Sequence, residues 1–437
     1  MNRLTRTSSD PLATAIDLDH AWLAGTSLAR SLTRIASARA MMFSSKRQSQ
    51  LAQQERVIAP AESTQPQPEV YPMLDVGRGL ACLWVVFLHI NSFYGYPFAV
   101  VAPLIDQIVR GGFLGVDFFF VLSGFLITGL LIPELKTGIR WKRFYIRRFF
   151  KIVPQYIVLV TFSIFMYCGL ISATIQSYDV NASMLPSQCL SRANQVPYFI
   201  FMQNYGVIIP PLGHTWSLDV EEHFYLFYPL MLLAVVALVQ RSPLKNRITT
   251  EATLIIIFVL LLIVFNMIRF IFLKPLAVYD GSGMVYFEET HFRVDAILFG
   301  CLLRVARPKL DHWLRRKAWK NLILIVSCAL LAVLALGDFD RYSAISYTSA
   351  YLAGGGMLIT TYDGKLRIAQ RLSQIPGLQW IGKRSYAIYL WHYPVIYLFG
   401  VGKISVWFCL LAVLGAGVLS NLTIERFALR VRRWVAP

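Results

Sequence analysis

Arg78 and His89 stand eleven residues apart in the apolar run Asp75-Val-Gly-Arg78-Gly-Leu-Ala-Cys-Leu-Trp-Val-Val-Phe-Leu-His89. On a helix that advances about 100° and about 1.5 Å per residue, this spacing returns to one face within roughly 20° after three turns and about 16 Å. Asp75 falls close to the same stripe. An ionisable side chain inside a lipid-crossing helix is costly and faces a water-filled or protein-lined cavity. One face therefore carries a guanidinium near the cytoplasmic interface and an imidazole far deeper. Guanidinium is a rigid fork of donors suited to a phosphate-bearing donor. Imidazole, with an unperturbed pKa of about 6.5, can act as general base at neutral pH. The competing role for His89 is helix packing through a hydrogen bond to a neighbour.

Five further constellations share this character. Gly115-Val-Asp117-Phe-Phe-Phe-Val-Leu-Ser123-Gly124-Phe125 sets an acid and a hydroxyl among aromatics, with glycines that also suit close helix packing. Asp117 can orient an imidazole or bind an acceptor hydroxyl. Arg140-Trp-Lys142-Arg143-Phe-Tyr-Ile-Arg147-Arg148-Phe-Phe-Lys151 alternates bases with aromatics. That pattern suits a helix lying on anionic headgroups, while Arg147 and Arg148 can also clamp a nucleotide-like donor. His214-Thr-Trp216-Ser217-Leu-Asp219-Val-Glu221-Glu222-His223-Phe-Tyr225 opens another span. Ser217, Asp219 and Glu221 there suit a helix N-cap and the dipole, and Glu221 is the second candidate acid or base. His291, Arg293 and Asp295 follow, then Ser385, Tyr389 and His392, whose spacings of four and three place them on one helix face.

The elements that must hold these residues are membrane helices. The chain has 437 residues, 56% hydrophobic and only 15% charged, against about a quarter charged in soluble domains. Apolar segments of spanning length, roughly 17 to 25 residues, recur throughout. The expected fold is an all-α polytopic transmembrane bundle of about ten spans, near 76–96, 113–132, 152–172, 219–239, 251–273, 288–304, 320–337, 343–361, 380–400 and 404–424. With both termini cytoplasmic, the basic clusters 136–151, 241–247, 304–320, 365–371 and 426–433 all lie inside, as cytoplasmic loops retain Lys and Arg. The segment 197–209 is too short to cross and reads as interfacial or re-entrant. A formal charge of +18 is explained by this topology rather than by nucleic acid. Residues 1–70 read as a polar, flexible cytoplasmic tail, and 71–437 as the membrane domain. Of six cysteines, none forms a Cys-x-x-Cys pair. Neither a metal site nor a disulfide framework is expected, and Cys189 stands alone in an external loop.

The stretches Leu74 to His89, Gly115 to Phe125, Phe144 to Tyr156, Trp216 to Pro229, Arg293 to Gly300 and Ile381 to Pro394 together resemble acyltransferase family 3, which includes bacterial surface-polysaccharide O-acetylases. The likeness covers nearly everything after residue 70. It implies a ten-helix core in the bacterial inner membrane, acyl-CoA (acetyl-CoA foremost) as donor, and a glycan or lipid-linked saccharide as extracytoplasmic acceptor. It also implies that His89 and Arg78 match the family's catalytic and donor-binding pair. Glu221, Asp117, Ser123 and Arg147-Arg148 match other motif positions. Lys151 stands where that basic motif usually has arginine, and Glu425-Arg426-Phe427 lacks a proline often found after the terminal glutamate. With the sequence stopping at Pro437, a stand-alone form is expected.

The resulting expectation is direct acyl transfer with no metal. His89, Glu221 and Asp117 form the catalytic set. Arg78, Arg147, Arg148 and Lys151 hold the donor. Ser123, Trp216, Ser217, Tyr225, Arg293, Ser385, Tyr389 and His392 line the substrate path. A covalent acyl-histidine relay is the second variant. The competing class is a proton-coupled transporter or flippase of a glycan or organic acid, since buried His, Asp and Glu also build proton relays. No inverted repeat or pair of broken helices supports it.

Overall fold

A computed structural model describes residues 71–94, 102–135, 138, 140–171, 191–206, 208–242, 249–279, 288–337, 344–401 and 404–435. The expected tail over 1–70 and the position of Cys189 lie outside them. Among the described residues there is no strand. In chain order the principal helices are α1 (Pro72–Phe93), α2 (Pro103–Arg110), α3 (Leu114–Leu131), α4 (Trp141–Ile164), α5 (Arg192–Phe199), α6 (Trp216–Arg241) and α7 (Thr250–Tyr279). They continue with α8 (Thr290–Trp313), α9 (Lys317–Leu336), α10 (Ala344–Thr361), α11 (Arg367–Ser373), α12 (Pro376–Val401), α13 (Val406–Ser420) and α14 (Arg426–Val435).

Seven helical stretches among the described residues are long and apolar enough to cross a membrane: 72–93, 103–135, 141–168, 210–241, 250–272, 317–336 and 406–435. Three helices that the hydropathy reading also counts as spans, α8, α10 and α12, fall short in apolarity. Several of their polar residues face inward. α10 buries ten of its eighteen residues, including Ser346, Tyr347 and Thr360, and α8 buries Arg293 and Asp295. Peripheral α7 shows the converse, with Ile256, Leu260, Ile263, Met267 and Phe270 all exposed, as expected where lipid is the solvent.

Two glycine pairs bring backbones together. Gly79 of α1 and Gly382 of α12 face each other so closely that a Cβ on either would strike the carbonyl of Leu378 or Asp75. Gly124 of α3 and Gly300 of α8 do the same against Ile297 and Val121. Without a hydrophobic drive between helices in lipid, such small-residue contacts carry the packing.

Several local expectations are revised. The basic run 140–151 is continuous with the third span in α4 rather than a separate surface helix. A short helix, α2, precedes the second span. It exposes Leu104, Ile105 and Ile108 and buries Asp106, which accepts hydrogen bonds from Asn91 (2.6 Å) and Arg110 (2.7 Å). The region 197–209 starts at the end of α5, which is only eight residues long, and Val196, Phe199 and Ile200 there are exposed. Ser217 is not an N-cap: a 3-10 turn over Pro210–Thr215 leads into α6, and Ser217 lies inside the helix. Asp219 instead accepts the backbone N–H of Asn204 at 2.9 Å. The absence of disulfides is also overturned, because Cys168 is disulfide-bonded.

Candidate active site

The close α1–α12 contact sets two stripes side by side. Residues 78 and 89 bound the polar stripe of α1. Gly382, Ser385, Tyr386, Tyr389, His392 and Tyr393 run at helical spacing along the facing side of α12. Between these helices and α3, α4 and α6 lies a cavity of about 360 Å³, within the range of small-molecule sites.

One end of the cavity is basic. Arg78, Arg148, Lys151 and Lys383 line it with Asp75. Asp75 holds Arg78 one helical turn away through a 2.9 Å ion pair. Lys151 is bonded to Glu425, which also accepts from Gln155 (3.1 Å) and Asn421 (2.8 Å). The lysine that stands where arginine is usual is thus partnered by the terminal glutamate. Arg148 stacks its guanidinium 4.6 Å over the Tyr225 ring. Arg148 and Lys383 make no ion pair among the described residues, so both charges are available to an anion.

The rest of the lining is polar and adjoins these bases, since Arg148 stacks on the same Tyr225 that bonds Glu221. Glu221 accepts the Tyr225 hydroxyl at 2.8 Å, and that hydroxyl is also bonded to Ser123. Ser217 Oγ and Tyr389 OH lie 2.7 Å apart. Both also reach the carbonyl of His214 at 3.3 Å.

Tyr389 is shared between the cavity and a second cluster. Its ring lies 5.2 Å from that of His392 and 5.6 Å from that of His214. His392 is 5.0 Å from His214 and 5.2 Å from His89, and Tyr393 packs on both His89 (4.7 Å) and His214 (5.2 Å). Three imidazoles from α1, α12 and the turn before α6 meet here. His214 and His392 are buried, whereas His89 is half-buried. Among the described residues no group of three or more His, Cys, Asp or Glu is placed to share a metal ion.

Nine of the fifteen expected site residues line the cavity: Arg78, Ser123, Arg148, Lys151, Ser217, Glu221, Tyr225, Ser385 and Tyr389. His89 and His392 sit beyond Tyr389. Asp117 is elsewhere, ion-paired at 3.0 Å with Arg293 in the bundle interior. That arginine stacks 4.0 Å from Tyr347 and 5.1 Å from Trp216. Asp117, Arg293 and Trp216 therefore form a cluster of their own and do not touch His89. Arg147 is exposed and outside the cavity lining. Lys383, inside the expected span 380–400, was not singled out from the sequence; its neighbour Arg384 turns away onto Trp380 (4.4 Å). His214 was quoted in its motif but given no role, because its neighbours on α12 are remote in sequence.

Comparison with known proteins places this architecture. The chain is 28% identical over 385 residues to the peptidoglycan O-acetyltransferase OatA of Listeria monocytogenes, covering 83% of this chain and 56% of that protein. It is 29% identical over 386 residues to the O-acetyltransferase OatA of Staphylococcus aureus, covering 84% and 58%. It is 27% identical over 383 residues to the putative peptidoglycan O-acetyltransferase YrhL of Bacillus subtilis, covering 80% and 53%. The chain thus spans little more than half the length of these relatives. No solved structure matches it. Residues 71–424, which hold the cavity and all three histidines, match the acyltransferase domain that defines the group, and the chain belongs to acyltransferase family 3.

Proposed function

We propose that this protein takes an acyl group, acetyl foremost, from acyl-CoA at the cytoplasmic side and transfers it to a hydroxyl of an envelope glycan, peptidoglycan being the acceptor suggested by its relatives. The observation that carries this reading is the polarity of a single cavity. Its basic end (Arg78, Arg148, Lys383) suits the phosphates of a nucleotide thioester. Its wall also carries Ser217 and Tyr389, and Tyr389 packs against His392 and His214.

In this reading the thioester carbonyl reaches the Tyr389 wall. The acceptor oxygen attacks that carbon while His89 takes the hydroxyl proton. The carbon–sulfur bond breaks, the thiolate recovers that proton, and the products are an O-acyl ester and free CoA. Holding both substrates at the junction supplies much of the rate by positioning. Glu221, bonded to Tyr225 and through it to Ser123, fixes the cavity wall rather than His89. The donor set becomes Arg78, Arg148, Lys151 and Lys383.

Ten spans with cytoplasmic termini form part of the proposal. α8, α10 and α12 have 24, 18 and 26 residues, each long enough for the hydrocarbon core at about 1.5 Å per residue. In this topology Cys168 lies at the external end of the third span, where an oxidising compartment lets a disulfide persist.

The test is replacement of His89 by Ala, with membrane abundance and ester-linked acetyl on envelope glycans both measured. Normal abundance with loss of the esters is expected. Unchanged esterification would reject the assignment.

A further inference from the structure

His214 and His392 are held in fixed and complementary tautomers. Pro394 has no N–H, so the carbonyl of Leu390, four residues earlier in α12, lacks its helical partner. His214 Nε2 lies 2.9 Å from that oxygen. A carbonyl only accepts, so Nε2 must carry the hydrogen and Nδ1 must present a lone pair. His392 Nδ1 is bonded to the carbonyl of Tyr389, which by the same logic protonates Nδ1 and leaves Nε2 as the lone-pair atom.

Both lone-pair atoms are buried, and neither has a hydrogen-bond partner among the described residues. The residues themselves are 3% and 0% exposed. A buried acceptor without a donor is unfavourable, and two lie here on rings only 5.0 Å apart. The Tyr389 hydroxyl does not serve them, being engaged with Ser217 and the His214 carbonyl. His89 is the third member, packed against His392 and Tyr393, and no carbonyl holds either of its ring nitrogens among the described residues. The three histidines are therefore unequal, one unconstrained and two locked as acceptors.

We propose that His214 Nδ1 and His392 Nε2 seat the acyl acceptor beside His89 by accepting two hydroxyl hydrogens, so that the substrate class is a polyol, such as a sugar ring with adjacent free hydroxyls, rather than a simple alcohol. This rests on the transferase reading above and adds to it a specificity device. One hydroxyl donates to each locked imidazole, which fixes the ring, and the reacting oxygen is left toward His89.

The experiment uses the full chain in detergent or nanodiscs, acetyl-CoA with a labelled acetyl group, and two acceptors: muropeptides released from peptidoglycan, and cyclohexanol. His214→Gln keeps a donor to the Leu390 carbonyl but removes the Nδ1 lone pair. His392→Asn keeps a donor to the Tyr389 carbonyl but removes the Nε2 lone pair. Each is expected to raise the muropeptide KM about tenfold, the size of one hydrogen bond, with the acetyl-CoA KM unchanged and the preference over cyclohexanol reduced by the same factor. A merely structural role would lower turnover of both acceptors equally, and that result overturns the proposal. So does an unchanged muropeptide KM in either variant, which makes each a separate test if the other fails to fold. If the unmodified chain transfers acetyl to neither acceptor, it is the transferase reading that fails.

Discussion

The hydroxyls of Ser217 and Tyr389 lie 2.7 Å apart at the inner wall of the cavity, with the basic donor end on one side and the His392 and His214 rings on the other. This pair joins α6 to α12, and both partners reach the His214 carbonyl. Tyr389→Phe removes one hydroxyl while keeping the ring that separates the two compartments. A net hydrogen bond of about 0.5 to 1.5 kcal/mol corresponds to roughly a two- to twelvefold fall in turnover, read from initial rates at saturating donor and acceptor. A fall of a thousandfold would instead make the Tyr389 hydroxyl a direct participant in the chemistry.

Arg148 and Lys383 line the cavity without an ionic partner among the described residues, whereas Arg147 lies outside the lining. Arg148→Gln and Lys383→Gln should each raise the acetyl-CoA KM by about ten- to a hundredfold, as expected for one charge-assisted contact of roughly 1.5 to 3 kcal/mol. Neither should alter the KM for S-acetylpantetheine, which lacks the nucleotide phosphates. Arg147→Gln should leave both constants close to wild type. Equal effects at 147 and 148 would disprove the assignment of the donor end.

Asp117 and Arg293 are each about 3% exposed or less and are paired at 3.0 Å. Removing one partner leaves an uncompensated buried charge, with a typical cost of about 3 to 5 kcal/mol. Asp117→Ala should therefore lower the thermal midpoint and the abundance of the chain, and pairing it with Arg293→Met should restore much of the loss. Activity per folded molecule, measured with purified protein, should fall far less than in His89→Ala. A stable but inactive Asp117→Ala would return Asp117 to the catalytic set.

Pro394→Ala restores an N–H opposite the Leu390 carbonyl, in competition with His214. The helix should gain stability, since proline inside a helix is unfavourable by about 3 kcal/mol relative to alanine. Transfer to a glycan acceptor should drop even so, because the His214 tautomer is no longer imposed. A thermal scan beside an acyl-transfer assay checks both signs, and improved activity in the stabilised variant would contradict the role given to Pro394.

Much of this molecule is legible in residue order. Long apolar runs such as 250–272 declare themselves because most of their surface is apolar and exposed, and Arg78 with His89 declare themselves because eleven residues close three helical turns. Charge clusters at segment ends fit a single orientation. The inner helices are harder to read. α8 and α10 carry their polar residues toward protein, which lowers their apolarity without making them any less part of the bundle.

What residue order alone determined is which side chains share a helix face, since that depends only on the period of the helix. Tertiary structure alone decided which faces meet. His89 as base and Asp117 as its orienting acid both entered the expected catalytic set, yet Asp117 found Arg293, 176 positions away, while His89 met two histidines from α12 and from the turn before α6. Such partnerships arise from close packing between segments remote in sequence, where one glycine pair sets the separation of two helices and one proline frees one carbonyl. Neither leaves a periodic trace in the chain.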